Sequence, residues 1–259
     1  MNFETLVYRN ENGVTTICLN RPDRYNAFNE QMRQDLLAAL QVAEKDGACR
    51  AIVLSGEGKA FCSGQDLKDI EGKDIDFSDF LKTGYNPVIR AMRNMPKPII
   101  ARINGVAAGA GCSLALACDF IIADEKASFV EVFVGIGLVL DSGSSYFLPR
   151  LVGSNRAFEL ATMGNKVSAS KALEWGMINR AVGTAELDAE VEKVALYYAN
   201  APTLAVASMK KMLNDSLTST LDQVLDYEAH YQQIAGSSAD YKEGVAAFIE
   251  KRKPTFKGS

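Results

Sequence analysis

The sequence has a single histidine, His230, in 259 residues. A zinc site built from several histidines is excluded, and any His-dependent triad would have to use that one residue. Its five cysteines (Cys18, Cys49, Cys62, Cys112 and Cys118) contain no Cys-x-x-Cys pair. An odd, scattered set in a chain large enough to bury a core reads as reduced thiols and predicts a cytoplasmic setting. No apolar run nears the ~20 residues that a membrane span needs. Met1-Asn2-Phe3-Glu4-Thr5 lacks the basic and apolar blocks of a signal peptide. There is no excess of positive charge either. With 28 Lys and Arg against 32 Asp and Glu, the net charge of -4 argues against nucleic acid as a partner. Neither a fixed-period repeat nor a low-complexity tract is present.

What is present is a strand-and-helix alternation. Val14 to Leu19 is β-branched and lies between Asn12-Gly13 and Arg21-Pro22, which predicts a strand. Met32, Leu36, Leu40 and Ala43 then recur at helical spacing, with Asn29 as cap and Gly47 as stop. Short apolar runs at 51–54 and 99–103 read as buried strands, and 120–123 and 128–130 as further ones. The acidic stretch 69–80 reads as a mobile surface loop. A helix is expected over Cys112 to Cys118. Beyond residue 155 strand signals fade, and helices are expected at 155–163, 169–175, 186–199, 203–214, 220–235 and 238–252, with Pro202 at a helix start. This is an α/β fold, with a core over 1–199 and an all-helical region over 200–259.

Two strand-to-helix junctions carry the chemistry. One is Ala60-Phe61-Cys62-Ser63-Gly64-Gln65-Asp66-Leu67; the other is Asn104-Gly105-Val106-Ala107-Ala108-Gly109-Ala110-Gly111-Cys112. Small residues let a ligand approach the backbone, and each junction leads toward a helix start with unpaired N–H groups. Two such groups aimed at one point form an oxyanion hole, although each junction alone could simply be a tight turn. The second does not match a dinucleotide loop, because the third glycine of G-x-G-x-x-G is missing.

Those junctions, with Asn20-Arg21-Pro22, Asn26-Ala27-Phe28, Ala117-Cys118-Asp119, Leu148-Pro149-Arg150-Leu151-Val152-Gly153, Ala172-Leu173-Glu174-Trp175-Gly176-Met177-Ile178 and Glu250-Lys251-Arg252-Lys253-Pro254, fall in the order of the crotonase (enoyl-CoA hydratase/isomerase) superfamily, which the chain resembles over nearly its whole length. The resemblance implies a spiral of ββα turns with a C-terminal helical trimerisation region, assembled as a homotrimer or dimer of trimers. It implies an acyl-CoA thioester substrate and no separate cofactor, coenzyme A being part of the substrate. The carbonyl oxygen would take N–H bonds from Gln65 and Ala110. Arg24, Ser63, Asp66, Leu67 and Lys68 would line the CoA side, and Phe248 and Lys251 would reach the nucleotide from a neighbouring subunit.

In the hydratases of this family two glutamates activate water. Their positions hold Ser113 and Phe133 here, with Glu131 two places away. Ser and Phe have no usable pKa near neutrality, so efficient hydration is disfavoured. The remaining acid is Asp141, in Leu138-Val139-Leu140-Asp141-Ser142-Gly143-Ser144. By pattern it is a turn or cap residue. The resemblance makes it the proton carrier, as in the ring-epoxide isomerase branch, whose Tyr85-Asn86-Pro87 and Ala239-Asp240-Tyr241-Lys242-Glu243-Gly244-Val245 also match. A dehalogenase reading is disfavoured because its histidine maps to Asn86 and its pocket tryptophan to Phe133. An acyl-CoA isomerase is therefore expected, with Phe133 in the acyl pocket. The alternatives are an enoyl-CoA hydratase and a CoA-thioester binding protein without catalysis. His230 reads as packing or interface, Lys210-Lys211 as a solvated face, Trp175 as packing, and Cys62 and Cys112 as small fillers.

Overall fold

The computed structural model describes residues 2–259. Its larger sheet runs, in spatial order, β1 (Leu6–Glu11), β2 (Val14–Leu19), β3 (Ala51–Gly56), β5 (Ile99–Ile103), β7 (Phe120–Asp124) and β10 (Arg180–Val182). The β1–β2 pair is antiparallel and all other pairs in this sheet are parallel. The smaller sheet runs β4 (Ala60–Cys62), β6 (Val106–Ala108), β8 (Ser128–Val130) and β9 (Val167–Ser168), with only β9 antiparallel. Strands β3, β5 and β7 each lead into β4, β6 and β8 of the second sheet, so the chain advances as a spiral.

The helices are α1 (Glu30–Lys45), α2 (Leu67–Ile70), α3 (Phe77–Phe80), α4 (Asn86–Asn94), α5 (Ala110–Leu116), α6 (Ser144–Val152), α7 (Ser154–Met163), α8 (Ala169–Glu174), α9 (Leu187–Ala199), α10 (Thr203–Ser216), α11 (Leu221–Gly236) and α12 (Ala239–Glu250). Helix α1 starts at Asn29, whose side chain accepts from Met32 N–H. Its far end stops at Asp46 rather than Gly47. Lys97 Nζ closes it by donating to the carbonyls of Ala43, Glu44 and Asp46 at 2.5, 3.0 and 2.8 Å.

Strand β3 is buried on both faces, as a parallel central strand must be. Ile52 and Leu54 join the main core with Phe28, Phe61 and Phe129, while Ala51 and Val53 pack under α9 against Leu187, Val191 and Val194. Alternation along one strand thus fills two cores.

Several expectations change. The 69–80 stretch is mostly exposed, but it carries the end of α2 and the turn α3, and leads through a π-helical turn, Leu81–Tyr85, into α4. Helix α5 begins at Ala110, two residues before the expected Cys112, and β6 forms inside what reads as a loop. Strands β1, β9 and β10 and helix α6 carried no distinct signal. Residues 203–250 form α10, α11 and α12 with short turns between them, as expected, but residues 251–259, expected within the all-helical region, carry no helix.

The helical tail is tied down by two cations, half-buried Arg50 and buried Lys210. Arg50 donates to Thr203 Oγ1, Ala201 O and Phe256 O at 3.0, 2.7 and 3.0 Å. Lys210, expected on a solvated face, is instead buried: its Nζ donates to Asp119 Oδ2 at 2.6 Å and to the carbonyls of Met92 and Lys97. Lys211 does face solvent, paired with Asp215 one turn on. The two residues therefore predict opposite outcomes. Lys210→Ala strips Asp119 and two carbonyls of a buried donor and should cost on the order of 3 kcal/mol, whereas Lys211→Ala should cost less than about 0.5 kcal/mol. Urea unfolding by circular dichroism at one protein concentration reads the difference, and equal midpoints would refute the docking role of Lys210.

Candidate active site

Two backbone segments meet where β4 and β6 run out of the smaller sheet. A Cβ on Gly111 would lie 2.2 Å from Cys62 O, and one on Gly64 would lie 2.8 Å from Ala108 O and 3.4 Å from Ala110 N. Gly64 also sits at φ +93°. Only glycine permits this approach. Residues 64–66 are pinned on the other side by Phe28, whose N–H donates to Gly64 O at 2.7 Å and whose carbonyl accepts from Asp66 N–H at 2.9 Å. The intervening Gln65 N–H finds no acceptor among the described residues. Nor does the N–H of Ala110 at the first position of α5, while Gly109 N–H just before it bonds to Val130 O at 2.9 Å. The structure therefore brings the two expected donors into neighbouring segments.

The Gln65 side chain is held as well. Its Oε1 accepts from Arg33 Nη1 at 2.9 Å and from Tyr85 Oη at 2.7 Å. The Arg33 guanidinium also lies 4.4 Å from the Phe80 ring centre. Burial pushes the Tyr85 hydroxyl far above its ordinary range, so it stays a neutral donor. Neither Arg33 nor the bonding role of Tyr85 was legible in the sequence, because α1 and the π-helical turn meet only in space.

Asp141 lies in the loop before α6 and is half-buried, not a surface cap. Its Oδ1 is enclosed without a hydrogen-bond partner among the described residues. Burial raises its carboxyl above the ordinary range, and the adjacent Ser142 hydroxyl offsets this in part without reaching hydrogen-bond geometry. The loop turns through left-handed conformations at Ser142 (φ 49°) and Gly143 (φ 87°), the first uncommon for a serine. The Asp141 charge adds to the upward push on the Tyr85 hydroxyl.

Ser113 is fully buried, with its Oγ 3.1 Å from both Asp141 O and Ser144 Oγ. Phe133 is buried in a 3₁₀ turn, Val132–Ile136, close to Gly109. Glu131 is buried too, and its carboxyl rises to about 7, first because of burial and further because of the nearby Asp141 charge. The sequence placed it only near the site; its burial beside Asp141 was not legible.

The expected CoA-side residues gather at the first junction. Asp66 caps α2 and pairs with Arg21 at 3.0 Å, Ser63 Oγ lies 3.4 Å from Arg24 O, and Leu67 and Lys68 are exposed. Arg24 is itself exposed, beside Asp23. Phe248 and Lys251 lie elsewhere in this chain, on and just after α12, where Phe248 lines an open groove of about 370 Å³ with Tyr241, Val245 and Phe256. His230 is exposed on α11, edge-on to Tyr231, so it does not pack in a core. Trp175 is half-buried against the core with Arg156 over its ring. All five cysteines are free, and burial raises Cys62 to about 12 and Cys112 well above its ordinary value, which leaves both as inert thiols.

Residues 9–259 match the Enoyl-CoA hydratase/isomerase family. The chain is 44% identical over 252 residues to the 1,2-epoxyphenylacetyl-CoA isomerase of Escherichia coli (strain K12), covering 96% of each. It is 42% identical to a protein of Rhodobacter capsulatus named "Probable enoyl-CoA hydratase", covering all of both. The crystal structure of an enoyl-CoA hydratase from Bacillus anthracis superposes with a TM-score of 0.95 at 31% identity, covering 99% of this chain and all of that one. The fold is thus a crotonase fold, and the chain belongs to the enoyl-CoA hydratase/isomerase family of acyl-CoA enzymes.

Proposed function

We propose that the protein is an acyl-CoA isomerase that uses one carboxyl group, Asp141, to move a proton. The observation that carries this reading is the enclosed, unpartnered Asp141 Oδ1 in a site where the two hydratase glutamate positions hold Ser113 and Phe133. The relative named 1,2-epoxyphenylacetyl-CoA isomerase supports it.

In this reading the thioester oxygen sits between the N–H groups of Gln65 and Ala110. These donors stabilise the enolate without any charged side chain. Asp141 takes the proton from C2 of a 3-enoyl-CoA, the double bond moves to C2–C3, and the same carboxyl returns the proton to C4. Its raised pKa suits a group that must both accept and donate. An aryl-CoA epoxide could be rearranged in the same cradle. Phe133 would wall the acyl pocket, and Arg24, Ser63, Asp66, Leu67 and Lys68 would flank the CoA. No further cofactor is needed, because the thioester itself acidifies the α-proton. A cytoplasmic setting fits the five unpaired thiols.

One observation favours a second reading, hydration: Glu131 is another buried carboxyl near Asp141. The two readings separate by assay. Isomerisation of a 3-enoyl-CoA, followed as conjugated product, should fall about 10²–10⁴-fold in Asp141→Asn while CoA-ester binding is nearly retained. Wild-type turnover in the folded variant would return Asp141 to a turn role. Hydration of crotonyl-CoA should be weak; turnover of ~10–1,000 s⁻¹ would favour the hydratase reading.

The assembly proposed is a homotrimer or dimer of trimers, with Phe248 and Lys251 acting in a neighbour's site. Leu213, Leu221, Phe248 and Ile249 are each at least 69% exposed on helices α10 to α12, more apolar surface than a lone chain usually shows. Light scattering at micromolar concentration should give three or six chains, and a stable monomer would overturn the proposal.

A further inference from the structure

Glu131 lies between β8 and the 3₁₀ turn and is 2% exposed. Its Oε1 accepts a 2.7 Å bond from Ser144 Oγ–H in the first turn of α6, and its Oε2 is buried with no partner among the described residues. A carboxylate held by one hydroxyl and no cation is costly to bury, so such a group keeps its proton. Among the described residues the surroundings offer no cation. Helix α5 brings only Cys112, the 137–143 loop brings Asp141, and the 3₁₀ turn, β6, β8 and β9 bring no charge. Arg150 of α6 is exposed, stacked over Tyr146 at 3.7 Å, and Arg156 and Glu159 of α7 and Lys166 are exposed as well.

Ser144 links this group to the proposed site. Its backbone N–H donates to Asp141 O at 2.9 Å and closes the Asp141–Ser144 turn, while its side chain anchors that turn on Glu131. Ser113 Oγ fills the space between, 3.1 Å from Asp141 O and from Ser144 Oγ.

We propose that Glu131, carrying its proton, is a positioning residue for Asp141: it holds the Asp141 turn through Ser144, and its neutrality keeps a second charge away from the proton-transfer site. This rests on the reading of Asp141 as the proton carrier.

The sign of the pH effect follows from burial. The carboxyl stands at about 7 in the fold against 4.5 in an open chain. The folded state therefore holds an extra proton between those values. The associated stability is complete below 4.5 and is lost as pH rises through about 7. Turnover should fall over the same upper range, as a charge appears behind Asp141.

The experiment compares wild type with Glu131→Gln and Glu131→Ala on a 3-enoyl-CoA between pH 5.5 and 9. Gln mimics the protonated acid, with an oxygen that accepts from Ser144 and an N–H in place of the O–H. In wild type kcat should decline on the alkaline side with a midpoint of about 7, and Glu131→Gln should abolish that decline. Glu131→Ala should lower kcat about tenfold at pH 6 with KM within about threefold, and Gln should restore most of that loss. Thermal melting gives a readout independent of turnover: relative to wild type, Glu131→Gln should gain Tm from pH 4.5 to pH 8. Wild-type kcat in Glu131→Ala, an alkaline decline that persists in Glu131→Gln, or a Tm difference flat with pH would each overturn the proposal. Full turnover in Asp141→Asn would sink the reading of Asp141, and the positioning role with it, even where the Tm comparison shows the buried proton.

Discussion

The site depends on bare backbone packed against bare backbone. Gly111 lies so close to Cys62 O, and Gly64 so close to Ala108 O, that a single methyl group at either position would force the segments apart. Close packing of this kind tolerates no such insertion. What it gains is two helix-entry segments set side by side, each with a main-chain N–H left over. Those groups are where a developing oxyanion could be stabilised without a charged side chain, and hence without the desolvation cost of one. The spiral as a whole repeats one strand in each sheet three times, as β3 and β4, β5 and β6, and β7 and β8, and the first two repeats carry these segments.

Around that contact, polar side chains act chiefly as clamps. Asn26 is fully buried and joins the first junction to its strand through Glu57 O and Ala60 O, each at 2.9 Å. Arg33 and Tyr85 converge on the Gln65 side chain, and Lys97 and Lys210 gather carbonyls at helix and strand ends. Each satisfies groups that would otherwise be stranded away from water. Among the described residues, Asp141 and Glu131 are the two carboxyl groups with an oxygen enclosed and unpaired, alongside Tyr8 Oη, Thr15 Oγ1, Asn104 Oδ1 and Ser142 Oγ. A buried acid without a partner is where a fold departs from stability toward chemistry.

Much of this was legible in the sequence because the signals are local. Strands β2, β3, β5, β7 and β8 announce themselves as short apolar or β-branched runs, and α1 by its cap and its periodicity. The two junctions show themselves by their small residues. The failures share a cause. Strand β10 is Arg180-Ala181-Val182 and β9 two residues long, so neither has a pattern of its own; each exists because a sheet edge offers it hydrogen bonds. The acidic 69–80 stretch looks like a loop, yet Phe80 and Tyr85 drive the following segment into helix by packing on Arg33 and Phe28. Lys210 and Lys211 are adjacent and chemically alike, and only the position of Asp119 separates a buried clamp from a solvated cation.

By itself, then, the sequence determined the α/β class, the order of its strands and junctions along the chain, the helical tail and the short roster of groups able to do chemistry. Composition and local spacing suffice for these, because each depends on residues within a few turns of one another. Tertiary structure alone decided which groups face one another. It set Gln65 under Arg33 and Tyr85, and it brought Ser113 Oγ within 3.1 Å of Asp141 O and Ser144 Oγ. It also buried Glu131 beside Asp141, although ten positions separate them along the chain. Charge state inside a protein follows from the water and partners a group loses on folding, and no stretch of sequence carries that information until the fold has closed around it.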